Sequence, residues 1–404
     1  MSQIFNKPLN DSNPDQIYFD LTVSNFQNTN TVPQVFSFND SRTTAFVNKP
    51  DDYFLSILRF TVDSGTIPVF IPSIEPNQAD PNLTIYSVSL SYTYPPAPDP
   101  AAVTYVSQQY IQWVPQNANV PVPPAPSANF NGQQNNSTGY YDCFNYTWFV
   151  FLVYEAYVNA YADLTAQVAV AGGLLPSDYP PLINWDTTSN RAVIYAEYPG
   201  YDVADLDSIG IFMNPALFSL FQTFPARYEG YDVLLGQNVK MLVTNIGGTN
   251  TAQITPPGGD PLVDAWTAIT LYQESSTTSS WTPITAVVFT TNTLPINANQ
   301  VSTPLVYSDN QLVSLGGNNS ATQNIITDIV SDEGLYRPNL VYLPQAEYRL
   351  IDLYGNQPLH NIDIQIFYRL KSGELVPFRL QSGGAVTIKI AFLRKNSRYG
   401  NKRL

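Results

Sequence analysis

Proline is what most limits the folds open to this chain, with 33 spread through 404 residues. Each one removes a backbone donor and fixes φ, so long helices are interrupted. The 27 Tyr and 21 Phe, with many Val, Ile and Thr, suit the pleated, half-buried surface of a strand. An all-β protein with long loops follows. The length predicts roughly two or three domains, since cores split above ~250–300 residues. Charged residues make up only 12%, about half the ~25% of an ordinary soluble domain. Asn, Gln, Ser, Thr and Tyr must therefore cover much of the surface, and a Tyr-rich surface poor in Lys and Glu is typical of one that neighbouring subunits cover.

Short β-rich runs separated by turn residues occupy most of the chain, among them 33–38, 53–62, 83–94, 107–114, 190–198, 267–274, 284–292, 362–370 and 385–395. Many alternate apolar and polar residues, as a strand with one buried face does. In "NIDIQIFYRL", Ile362, Ile364, Ile366 and Tyr368 point one way; Asp363, Gln365, Phe367 and Arg369 point the other. Two helices interrupt the strands. One spans about 149–171, where Glu155, Asn159, Asp163 and Gln167 form a polar stripe at four-residue spacing; this is an amphipathic helix and not a bilayer span, so no stable membrane insertion is expected. The other is "NPALFSLF" (214–221), with Asn214 as N-cap and Pro215 as first helical residue. Pro-rich 94–103 and 115–139 read as surface excursions or a connection between domains. So many short strands suggest a sandwich or jelly roll. A weak echo joins 56–72 to 284–300: a strand ending in Phe-Thr, a polar turn, then an apolar residue and Pro.

Catalytic chemistry is sparse. The one histidine, His360, stands in a turn beside a strand, and Cys143 lies among aromatics. A lone thiol forms no intrachain disulfide, and here it reads as buried and inert. One His and one Cys are too few for a zinc centre. Asp202, Asp205 and Asp207 lack the spacing of a calcium loop and read as a solvated acidic turn. "SLGGNNSATQ" (314–323) lacks the Lys of a phosphate cradle. The polar start shows no export-signal pattern, which leaves little weight on the Asn-x-Ser/Thr matches at Asn82, Asn136, Asn145 and Asn318. No cofactor and no enzyme activity are expected.

Several stretches resemble the minor capsid, or penton, proteins of virophages and polinton-like viruses, the Sputnik-type branch being nearest. The strongest is "VYLPQAEYRLIDLYGNQPLHNIDIQIFYRLKSGELVPFRLQSGGAVTIKIAFLRK" (341–395). It carries a Tyr-Arg-Leu-Ile-Asp-Leu strand, a Pro-Leu turn, the "IDIQIFY" strand, a Gly turn into "PFRL", then "TIKIAFLRK". Residues 54–72, 180–198, 209–228 and the Trp-x-Pro strand at 280–295 also resemble family segments, in order. The resemblance implies a jelly-roll base with an inserted, mostly β upper domain carrying one or two short helical segments. The expected division is an N-terminal arm (1–22), a base (23–95 plus 280–395), an upper domain (96–279) and a basic tail (396–404). It also implies homopentamers at the five-fold vertices of an icosahedral virion, contacts with a double-jelly-roll major capsid protein, and assembly in the host cytoplasm or a viral factory. Jelly rolls also occur in lectins, so a viral receptor-binding or lectin-like attachment protein is the alternative.

Charge is segregated along the chain. Of 18 basic residues, six fall in the final sixteen positions with no acid among them: Lys389, Arg394, Lys395, Arg398, Lys402 and Arg403. The remainder holds 12 basic against 32 acidic groups. On the inner face of a shell such a run would meet packaged genome or acidic inner-capsid proteins, since basic groups that neutralise phosphates release counterions.

Overall fold

The computed structural model describes residues 14–395 except 27–33, 127–133, 256–264, 298–304, 315–323, 331–338, 343–349 and the short stretches 64, 66, 77–78, 97, 232, 234, 246–247, 249, 309–310 and 372. The described strands build two cores, one from the two ends of the sequence and one from its middle.

The first core lies between two sheets. One orders Gln16–Ser24, Ala385–Arg394, Tyr53–Asp63 and Asn339–Tyr342, with Ile351–Asp352 sharing the far edge of Tyr53–Asp63. The other orders Gln311–Ser314, Leu305–Ser308, Leu375–Pro377, Asn361–Leu370, Ile284–Thr290 and Ile325–Val330, with Ser37–Ser41 also paired to Asn361–Leu370. Pairing is antiparallel except between Leu305–Ser308 and Leu375–Pro377. This is the expected jelly-roll base. Ile362, Ile364, Ile366 and Tyr368 face its core as the alternation predicts. The two echoing strands meet across it: the rings of Phe60 and Phe289 stand edge to face with centroids 5.1 Å apart. The opposite face of Asn361–Leu370 is not simply solvated, because Asp363 and Phe367 are buried too, Phe367 in a satellite cluster with Ala286, Val288 and Leu375.

The second core lies between a sheet ordered Ala226–Tyr228, Val239–Met241, Gly210–Met213, Leu83–Tyr94, Val103–Gln112 and one ordered Thr251–Ile254, Trp266–Tyr272, Arg191–Glu197, Leu182–Asp186. Helix α1 (Tyr146–Val170) packs against strands of both. It buries Phe149, Val153, Tyr157, Ala160, Leu164 and Val168, a stripe at three- and four-residue spacing. Glu155, Asn159 and Asp163 of the expected polar stripe are exposed. At 25 residues α1 is the helix expected over about 149–171, beginning three residues earlier. Helix α2 (Pro215–Leu220) begins as read: the Asn214 side chain accepts from Leu217 N. A one-turn helix, α3 (Thr278–Trp281), ends the body. Trp281 is its hub, in ring contact with Phe70, Tyr146, Phe149, Trp185 and Phe221 at 5.1–5.8 Å between centroids.

These placements move the expected divisions. Leu83–Tyr94, assigned to the base, forms a hairpin with Val103–Gln112, and its Tyr86, Val88, Leu90 and Tyr92 enter the second core. Trp281 also belongs to that core. Residues 16–22, expected to be an arm, are an edge strand in register with Ala385–Arg394. Among the described residues, no helix is long and apolar enough to cross a membrane.

Candidate assembly surfaces

The basic residues singled out from sequence separate into two groups. Lys389, Arg394 and Lys395 are described; Arg398, Lys402 and Arg403 lie outside the described residues. Lys389 stands in the middle of a row across three strands, directly opposite Asp20 on one side and Arg59 on the other. The Asp20 carboxylate takes Arg59 at 3.2 Å and Lys389 at 3.7 Å. More than half of the Asp20 side chain is exposed, so such pairs contribute only about 0–1 kcal/mol each. They do, however, match much of the local charge. Lys395 is held more closely: Nζ lies 3.0 Å from Asp352 Oδ1 and donates to Leu353 O at 3.2 Å, near the rings of Phe54 and Tyr354. The Arg394 backbone N–H donates to Asp15 O at 2.9 Å.

Strand direction places these groups. Tyr53–Asp63 runs toward the inserted body, and Arg394 lies opposite Tyr53 at its beginning. Ala385–Arg394 therefore carries the chain to the end of the base remote from the second core.

A polar junction joins base and inserted body. Arg379 donates through Nη2 to Ser137 O and lies beside the buried Asp142 carboxylate. Burial raises the Asp142 carboxyl to about 6 despite the guanidinium. Glu374, also buried, is raised by its burial to about 8, against a hydrogen bond from Asn136. Gly139 suits this site doubly: φ is +70°, and a Cβ would sit 2.9 Å from Arg379 Cδ. The end of the 115–139 stretch, read as a surface excursion, is thus buried where Asn135, Asn136, Ser137 and Thr138 pack. Sequence reading missed this junction, although an acid within the aromatic run "YYDCF" was a visible signal.

The other chemical candidates are integrated into structure. His360 Nδ1 is 3.1 Å from Arg42 O in an exposed turn. Cys143 is fully buried, and its burial raises the thiol to about 12. Asp202 accepts from Ala204 N, Asp205 from Asp207 N, and Asp207 from the Tyr92 hydroxyl at 2.7 Å.

Comparison with known proteins agrees with this architecture. Residues 17–394 match the family model for the Sputnik minor capsid protein V18/19. The chain is 33% identical over 160 residues to uncharacterized protein V18 of Sputnik virophage, covering 38% of this chain and 87% of that protein. It is 24% identical over 220 residues to Sputnik structural protein V19, covering 52% and 93%. A chain from the 3.5 Å cryo-EM structure of the Sputnik virophage superposes with a TM-score of 0.72 at 24% identity, over 95% of this chain and 99% of that one. The crystal structure of the mavirus penton protein gives 0.57 at 13% identity, over 94% and 100%. A family match over nearly the whole length, on a jelly-roll base with an inserted β body, makes this chain a member of the Sputnik minor capsid protein V18/19 family, a structural protein of a viral capsid.

Proposed function

We propose that this protein is the penton of its virion: five copies ring each five-fold vertex of an icosahedral shell. The observation that carries the reading is the two-core architecture, in which a jelly-roll base from both ends of the sequence supports one inserted body. The base (about 14–63 with 284–395) takes its place in the shell beside double-jelly-roll major capsid proteins, and the inserted body (about 69–281) faces outward. A relative of the same fold is itself named a penton protein, which supports the position. The chain then serves by packing and not by catalysis, and it assembles in the host cytoplasm or a viral factory. A five-fold ring needs two different complementary faces on each subunit, and the charge-poor, Tyr-rich composition suits surfaces that neighbours cover. Native mass of protein released gently from particles tests the ring. Five subunits support it; three would move the chain to a fibre or receptor-binding role.

The same placement directs the basic segment inward, since Ala385–Arg394 delivers it at the end of the base away from the inserted body. Lys389 and Lys395 already have acidic partners within the chain. The contact with genome or inner-capsid protein is therefore assigned chiefly to Arg398, Lys402 and Arg403, which lie outside the described residues. Deleting 396–404 is expected to lower genome retention at raised salt; unchanged retention would refute the contact.

A further inference from the structure

The groove between α1 and the edge strand Val103–Gln112 has no part in the roles above. Its volume is about 260 Å³. Along α1 it is lined by Trp148 and Phe151, then by Glu155 and Asn159; along the strand, by Tyr110 and Gln112. Its floor is closed by buried Leu152 and Ala156.

Three features give it chemical character. First, Trp148 is the exception among the five tryptophans: Trp113, Trp185, Trp266 and Trp281 are at most 5% exposed, whereas Trp148 is partly open to solvent. Its indole is fixed in place, with Nε1 donating to Val114 O at 2.8 Å. Second, Phe151 is 45% exposed and lies 6.2 Å from Trp148 with 35° between the ring planes, and Tyr110 is 42% exposed across the groove. The two α1 rings form a shallow, preset apolar plate. Third, Gln112, Glu155 and Asn159 offer two amides and a carboxylate, and among the described residues none of these side chains makes a hydrogen bond within the chain.

We propose that this groove is a carbohydrate-binding subsite that takes one or two pyranose rings. A pyranose presents a face of C–H groups and an equator of hydroxyls. Trp148 and Phe151 receive the face; Glu155, Asn159 and Gln112 receive the hydroxyls. Other occupants fit less well. An apolar side chain from a partner would bury the three polar groups without partners, at about 1–3 kcal/mol each. A phosphate or sulfate would meet the Glu155 carboxylate with no cation lining the groove. The volume lies below the ~300–1,000 Å³ of pockets that engulf a ligand, which suits a sugar laid against a wall and held weakly until several subunits act together.

The test uses the full-length protein and a panel of methyl glycosides (glucoside, galactoside, mannoside and N-acetylglucosaminide). Saturation-transfer NMR reads the ligand, and tryptophan emission reads the protein. At least one glycoside is expected to bind saturably through its C–H face. Phe151→Ala and Glu155→Gln should each weaken it about tenfold, the equivalent of ~1.4 kcal/mol, with the unfolding temperature unchanged for the exposed Glu155. Tyr231→Ala, an exposed aromatic outside this groove, should bind as the wild type does. Failure of every glycoside to bind would overturn the proposal, as would binding that both groove variants leave intact. Loss of subunit association in Phe151→Ala, without any sugar response in the wild type, would overturn it and assign the groove to a contact between copies.

Discussion

At the scale of the residue, Asp363 departs furthest from what alternation predicts. It sits on the face read as solvated, yet it is buried and ionised. Its carboxylate accepts from the Thr291 and Thr293 hydroxyls at 2.6 Å and from the Asn292 and Thr293 backbone N–H groups at 2.8–3.0 Å. Burial alone would raise its pKa, but these donors outweigh it and hold the carboxyl below its ordinary 3.8. It thereby fastens the turn after Ile284–Thr290 to the neighbouring strand. Asp363→Ala should cost about 2–4 kcal/mol in denaturant unfolding, since several donors lose a charged acceptor. A depressed carboxylate contributes stability above its unfolded pKa and loses it as pH falls through the folded one. The gap between wild type and variant should therefore be widest near neutrality and narrow below about pH 4. Nothing in "NIDIQIF" distinguishes this aspartate from a solvated one, because its donors are about 70 positions away in sequence.

At the scale of the element, what could be read was what is local. Alternation in Asn361–Leu370 identified the residues that face the base core. Four-residue spacing located the exposed face of α1, and Asn214–Pro215 marked the start of α2, because a cap and a first-turn proline act within three residues of each other. Partnership between elements was not legible. Leu83–Tyr94 is as β-like as any base strand, and only its pairing with Val103–Gln112 and Gly210–Met213 assigns it to the inserted body. The basic run was visible as charge, whereas the pairing of Lys389 with Asp20 depends on a strand register across hundreds of residues. The groove was hidden for the same reason: Trp148 and Tyr110 lie far apart in sequence and meet only once α1 packs on the sheet.

At the scale of the whole molecule, the junction gives the two bodies a shared dependence on pH. Glu374 and Asp142 are both raised by burial, to about 8 and about 6, in a setting that includes Arg379, Tyr368 and Asn136. A carboxyl whose folded pKa is raised contributes stability that is fully present below its unfolded pKa and is lost as pH rises through the folded value. For Glu374 that window runs from about 4.5 to about 8. Glu374→Gln should therefore raise the unfolding temperature at about pH 8 and leave it nearly unchanged below about pH 4.5. A scanning-calorimetry series across that range checks the sign, and equal pH profiles for both proteins would contradict it.

The interleaving of the base strands also has a temporal consequence. Ala385–Arg394 sits between Gln16–Ser24 and Tyr53–Asp63, so both early strands await a partner made more than 300 residues later. The inserted body is complete in the growing chain well before then, and long-range β pairing is slow in any case. On the ribosome the inserted body can fold while the sheet of the base is still open. The base of a nascent chain is thus left unfinished until translation has passed Arg394, however early its first strands were made.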